Sequence, residues 1–336
     1  MTNIAAEGMG GFKDIRHVSS ATLDSRSYGR ALLAAAREDD RIVCLGADLS
    51  QPTQTDLFRD EIPSRFFMMG IQEAHMVGAA GGMARVGDIP VCHSFCVFIT
   101  RRVYDQVAMQ VAYPKLPVKL VGFLPGLATE LGPSHQAIDD VALMRALPNM
   151  VVLEPRGPEQ VGAAVAAMLS HDGPVYLRLM TSRSQKDDNS PLVPLTIGKG
   201  QVVRSGRDIA LIAAGIMVRK AEETADLLAS WGLSATVVNM ASLKPIDSEM
   251  IRDIAKTHRA ILTVENHSRV GGLGSAVAEV LAEAGLPIKF RIAAINDVFS
   301  EGASLTYLLE KHDLTAPALC AAAIGLLEET PSKTIG

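Results

Sequence analysis

The chain is 336 residues long, 48% hydrophobic and 4% aromatic, with a formal net charge of −5. That length favours two domains over one, and mixed charge without a basic block argues against nucleic-acid or anionic-membrane partners. No apolar run reaches the roughly 18 residues of a membrane span, and four irregularly spaced cysteines (Cys44, Cys92, Cys96, Cys320) suit a reducing cytoplasm rather than a disulfide framework.

Residues 1–19 read as a loose tail without the basic start and apolar core of a signal peptide. Helix and strand patterns then alternate. Arg26 to Arg37 reads as a helix, Arg41 to Gly46 as a buried strand and Phe66 to Gly70 as a short strand. A helix starts near Gln72, Ile89 to Phe95 is a strand, and a helix covers about Arg101 to Val111. Val118 to Phe123 is a strand that ends in a Gly/Pro loop, Leu124 to Pro133. Ile138 to Ala146 (helix), Met150 to Leu153 (strand), Pro158 to Ser170 (helix) and Val175 to Leu179 (strand) complete the first series. Short apolar runs between helical periods indicate βαβ units and a parallel sheet.

The stretch 181–194 is polar, charged and proline-bearing, which marks a linker. A second α/β series follows. Its strands are Ile209 to Ala214, Ala235 to Asn239, Ala260 to Val264 and Ile288 to Ile292. Its helices are Val218 to Trp231, Met250 to Thr257 and Ser275 to Ala284, with two more at the C-terminus. The fold class is therefore α/β with two parallel-sheet domains, 20–180 and 195–330.

Familiar activity motifs are missing. There is no Walker-type phosphate loop, no GxGxxG after the first strand, no GxSxG elbow and no HExxH. Cys92 and Cys96 lack the second pair a zinc site needs, so no metal is assigned to this chain's own residues. The segment GIQEAHMVGAAGGMA (Gly70 to Ala84) stands out instead. Glu73 lies in the first turn of a helix that follows a buried strand. Gly78, Gly81 and Gly82 each cost that helix roughly 1 kcal/mol relative to alanine. Close approach of another helix or of a ligand is the usual offset. From these residues alone, Glu73 is either a buried functional carboxylate or a cap for helix N–H groups.

GIQEAHMVGAAGGMA resembles the pyrimidine-binding motif of the transketolase family. So do SFCVFITRRVYDQV (Ser94 to Val107) and GPSHQAIDDVALMRALPNMVVLEP (Gly132 to Pro155). SLKPID (Ser242 to Asp247) and ENHSRVGGLGSAV (Glu265 to Val277) resemble its C-terminal domain. The resemblance runs over nearly the whole chain. It implies a thiamine-diphosphate pyrimidine-binding domain followed by a transketolase C-terminal domain, and transfer of a two-carbon ketol unit between a ketose and an aldose. Glu73 matches the glutamate that hydrogen-bonds the cofactor's pyrimidine ring nitrogen. Phe95 and Phe98 match the aromatic lining of that pocket, Asp48 and Leu49 the residues near the thiazolium, and Arg101 a further cofactor contact. His135 matches the substrate-side histidine, Arg178 a sugar-phosphate-binding arginine, and Arg26 a second such position.

Two departures from the family pattern carry expectations. Nothing resembles the family's diphosphate domain, with its GDG motif and paired asparagines. The resemblance therefore implies a partner subunit that supplies those groups and the Mg²⁺ ligands, in a cytoplasmic α2β2 assembly that also self-associates. In the substrate loop, Leu131 stands where an acidic residue is usual, and Phe123 to Pro125 lacks an expected histidine. Fewer polar contacts to a sugar predict an unusual donor or acceptor, such as a branched, sulfonated or shortened ketose, in place of the standard pentose phosphate. Two other readings are a β-type subunit of a 2-oxoacid dehydrogenase or pyruvate-condensing enzyme, and a non-catalytic scaffold.

Overall fold

A computed structural model of the chain describes residues 26–180 and 193–329. The expected tail 1–19 and residues 181–192 of the expected linker lie outside them. The first series forms β1 (Ile42–Gly46), β2 (Phe66–Met68), β3 (Ile89–Phe95), β4 (Lys119–Phe123), β5 (Val151–Leu153) and β6 (Val175–Leu179). These six strands are mutually parallel, in the order β5-β6-β4-β3-β1-β2. The second series forms β7 (Gln201–Arg204), β8 (Ile209–Ala213), β9 (Ala235–Asn239), β10 (Ser242–Lys244), β11 (Ala260–Ser268) and β12 (Lys289–Ile295). Five of them make a sheet in the order β12-β11-β8-β9-β7.

Two edge strands modify the all-parallel expectation. β7 runs antiparallel to β9, and β10 leaves its own half to pair antiparallel with β5 of the first sheet. Both are three or four residues long, too short to leave a periodic signal. β10 also means that the two halves share a sheet. The interior strands β1, β4, β5, β6, β8 and β9 are buried at every position. They read as short, mainly apolar runs because helices cover both faces of a parallel sheet, and the charges within them, Lys119 in β4 and Arg178 in β6, are buried too. Among the described residues, no helix is long and apolar enough to cross a membrane.

The expected helix Arg101 to Val111 is not one helix. A 3-10 turn (Arg101–Val103) and one α turn (Tyr104–Gln106) lead into a π-helical segment (Val107–Ala112). This segment explains a glycine of the Glu73–Arg85 helix. A Cβ on Gly81 would stand 2.9 Å from the backbone oxygen of Gln110. The two backbones approach too closely for any side chain, which offsets the helix cost at that position. Gly82 faces open space and has no such explanation.

Beneath the carboxyl ends of the strands, His93 of β3 is wholly buried. Its Nε2 lies 2.5 Å from Tyr28 Oη and its Nδ1 2.9 Å from Leu45 O. Burial pulls its pKa from 6.5 down to about 4, against the opposing pull of its backbone hydrogen bonds. A histidine depressed in this way stabilises the fold fully above about pH 6.5, and that contribution is lost as pH falls toward 4. The loss should amount to about 3 kcal/mol. Urea unfolding between pH 7 and pH 4 should show it, and His93→Gln should flatten that part of the pH dependence.

Candidate active site

The carboxyl ends of β1, β3 and β4 lie side by side, and ligand sites of open parallel sheets lie at that edge. Asp48 and Leu49 follow β1 there. Asp48 has φ +58° and donates its N–H to Met68 Sδ at 3.2 Å.

Glu73 opens the helix Glu73–Arg85 and is 2% exposed. Ser94 Oγ donates to its Oε1 at 3.2 Å, and Arg102 Nη1 donates to its Oε2 at 2.9 Å. The carboxylate bonds to these two side chains and is not used as a cap for its helix's N–H groups. Of the two readings that the sequence leaves open, the buried carboxylate is the one observed.

The same Arg102 lies over the ring of Phe98, 4.1 Å from guanidinium carbon to centroid, in cation–π geometry. Phe98 lies 6.0 Å from Phe95 and 5.2 Å from the His135 ring, and Phe95 is 6.4 Å from His135. His135 comes from a different segment, the loop after β4, and its Nδ1 lies 2.9 Å from Ser134 Oγ. Partial burial lowers its pKa, and the Arg102 charge lowers it further. The imidazole is therefore neutral near pH 7, able to accept or donate at either nitrogen. Glu73, Phe95, Phe98 and His135, all expected site residues, thus share one cluster with Arg102 at its centre.

Arg102 is the residue that sequence reading missed. Its neighbour Arg101 forms a forked pair with Asp139, at 2.8 and 3.1 Å, and does not reach Glu73. A spacing of four from Phe98 was the available signal. Arg26 is paired with Asp56. Leu131 is 58% exposed in the His135 loop, and Phe123 is fully buried in β4.

The assignment of Arg178 to sugar-phosphate binding requires correction. It is 1% exposed. Its Nε and Nη1 donate to Asp140 Oδ2 and Glu154 Oε1, each at 2.7 Å. Its Nη2 meets Ala137 O, Asp140 Oδ1 and Asn266 O at 3.2, 3.2 and 2.9 Å. Tyr176 Oη also donates to Asp140 at 2.6 Å. Burial pushes the Asp140 carboxyl up, but Arg178 and its neighbours prevail and leave it below the ordinary value. Burial prevails at Glu154, which stays raised. A guanidinium so enclosed serves structure.

Glu73, Phe95, Phe98 and Arg102 bring a buried carboxylate, two phenyl rings and a guanidinium together. A buried carboxylate beside two phenyl rings suits an aminopyrimidine, with one polar edge and two apolar faces.

Comparison with known proteins identifies the family. A family model for the transketolase pyrimidine-binding domain matches residues 25–185, and one for the transketolase C-terminal domain matches residues 198–319. The 6-deoxy-6-sulfo-D-fructose transketolase subunit SqwH of Clostridium sp. (strain MSTE9) is 43% identical over 298 residues, 88% of this chain and 92% of that relative. The 1-deoxy-D-xylulose-5-phosphate synthase of Symbiobacterium thermophilum is 36% identical over 304 residues, 90% of this chain and 47% of the synthase. A solved structure described as a split-gene transketolase in an inactive β4 tetramer superposes with a TM-score of 0.83. It is 44% identical, and the match covers 90% of this chain and 97% of that one.

Replacing Arg178 by methionine strands two buried carboxylates, and such losses cost about 3–5 kcal/mol. The urea midpoint should fall accordingly. A sugar-contacting arginine would instead leave stability intact and raise the KM for the sugar.

Proposed function

The chain belongs to the transketolase family, and from that premise we propose that it is the pyrimidine-side subunit of a heteromeric thiamine-diphosphate-dependent transketolase. It transfers a two-carbon ketol unit between a ketose and an aldose. The observation that carries this reading is the buried Glu73 carboxylate, fixed on both oxygens beside Phe95 and Phe98.

In this reading Glu73 holds the pyrimidine ring nitrogen and shares a proton there, while Phe98 and Phe95 face the ring. Asp48 and Leu49 border the thiazolium. Thiamine diphosphate, when bound, would supply a nucleophilic carbon and an electron sink for the ketol group. Ser94 keeps the carboxylate aimed, and Arg102 balances its charge. His135, neutral near pH 7, exchanges protons with the hydroxyls of the bound sugar. The apolar Leu131 beside it selects against a donor that needs a carboxylate contact at that point. A non-standard ketose fits such a loop, and the 6-deoxy-6-sulfo-D-fructose of the SqwH relative's name is one of that kind.

The diphosphate and its Mg²⁺ belong, in this reading, to a partner subunit that carries the N-terminal half of a transketolase. The relatives support a partner: one is named a subunit, and another is a split-gene protein whose β4 tetramer is described as inactive. An α2β2 assembly, self-association of this chain and a cytoplasmic location are part of the same proposal. So is the domain division at 20–180 and 195–330.

Three measurements test it. Calorimetry with thiamine diphosphate and Mg²⁺ should show tight binding by the chain mixed with its partner and none by the chain alone. Tight binding by the chain alone would overturn the two-subunit reading. In the reconstituted enzyme, Glu73→Ala should reduce ketol transfer by at least about a hundredfold, and full activity of that variant would sink the catalytic role. Turnover of pyruvate in place of a ketose donor would favour the keto-acid alternative.

A further inference from the structure

The loop that carries His135 is built by the first domain but gripped by the second. Asn266, in β11, is 2% exposed. Its Oδ1 accepts from Leu127 N–H at 2.9 Å, and its Nδ2 donates to Pro125 O at 3.1 Å. The two partners flank Gly126, whose φ is +54°. A Cβ at Gly126 would stand 2.2 Å from Asn266 O, so the backbones touch with no room for a side chain. Asn266 is itself anchored, because its carbonyl accepts from the buried Arg178 at 2.9 Å.

The far end of the loop is held from the same side. Gln136 Nε2 donates to Glu301 O at 3.0 Å, and Ser268 N–H donates to Ile138 O at 2.8 Å. Between these anchors, a Cβ on Gly302 would be 2.6 Å from Glu130 O. The His135 ring then rests against Phe95 and Phe98.

We propose that Asn266 is a positioning residue for ketol transfer: its amide fixes the 125–127 turn and thereby seats the His135 ring on Phe95 and Phe98. The proposal rests on the reading of His135 as the substrate-side histidine. A carboxamide is the side chain suited to this task, because it offers an acceptor and a donor to two groups of one turn. Aspartate keeps the bond to Leu127 N–H but sets a second oxygen against Pro125 O. Alanine leaves the Leu127 N–H buried and unpaired, while Pro125 O keeps only the Ala128 N–H at 3.0 Å.

The test follows the histidine rings of the full chain by NMR. His135 should show a ring-current shift from its two phenyl neighbours, and His93, buried in β3, reports on the integrity of the sheet. In Asn266→Asp and Asn266→Ala, the His135 shift should fall to less than about half while the His93 resonance stays in place. Gly126→Ala should reproduce the effect by pushing on the same contact from the other side, which covers the case where an Asn266 variant does not fold. An unmoved His135 resonance in a folded variant overturns the proposal. In the reconstituted enzyme, Asn266→Asp should lower kcat by roughly tenfold to a hundredfold, because small misplacements of a reacting group carry costs of that order. The affinity for thiamine diphosphate should stay unchanged. A ring that moves while kcat holds would uphold the positioning and remove His135 from the substrate site.

Discussion

A guanidinium cut off from water has to be neutralised where it stands, and at Arg178 this requirement draws four chain segments together. The charge sits on β6 in the middle of the first sheet. Asp140 reaches it from the start of a helix, Glu154 from the end of β5, Ala137 from the His135 loop and Asn266 from the second domain. None of these contacts is strong in isolation once desolvation is counted. Together they satisfy a charge whose burial without partners would cost several kcal/mol. Such a cluster has one acceptable arrangement, and that arrangement fixes the two domains against each other. β10, paired with β5, and Arg145, which donates to Gly271 O at 2.6 Å and Gly272 O at 3.1 Å, extend the same contact.

The second arginine–carboxylate pair has the opposite character. Glu73 is as buried as Asp140, but the Arg102 side chain is 45% exposed. Solvent screens that cation and weakens its hold on the carboxylate. A weakly held partner can be exchanged, and a strongly held one cannot. The fixed charge pair thus lies where the domains meet, and the pair with an exposed cation lies at the Phe95–Phe98–His135 cluster. The same Arg102 charge also helps to keep His135 neutral. One side chain therefore ties the carboxylate, an aromatic wall and the imidazole into a single electrostatic unit.

What the sequence made legible follows from the same physics. Buried parallel strands announce themselves as apolar runs, and Ile89–Phe95, Val175–Leu179 and Ala235–Asn239 were readable to the residue. The segment after Phe95 was not, because its turns change from 3-10 to α to π within a dozen residues and no single period describes them. Arg178 was misread because a charge at a strand end looks like an outward-facing ligand group. Its setting in VYLRL, with apolar neighbours on both sides of the chain, was the contrary signal: a charge within such a strand demands carboxylates nearby, and Asp140 and Glu154 flank β5's helix and strand. Glu73, Phe95, Phe98 and His135 could be gathered through family resemblance, but their mutual distances depend on loops that have no periodic code.

The His135 loop shows why those distances need the second domain. Leu124, a non-glycine residue, has φ +58°, and Gly126 and Gly132 have φ +54° and +75°. A backbone with this much left-handed conformation in nine residues is not what an isolated loop would choose, and each non-glycine instance costs about 1 kcal/mol or more. Such a shape persists only where surrounding contacts over-determine it. Here they come from Asn266, Ser268 and the 301–302 turn, all beyond the second sheet's third strand in sequence. The geometry that brings the imidazole to Phe98 is therefore imposed across the domain boundary. A domain with none of the clustered site residues still shapes the site, because it decides where one of them can stand.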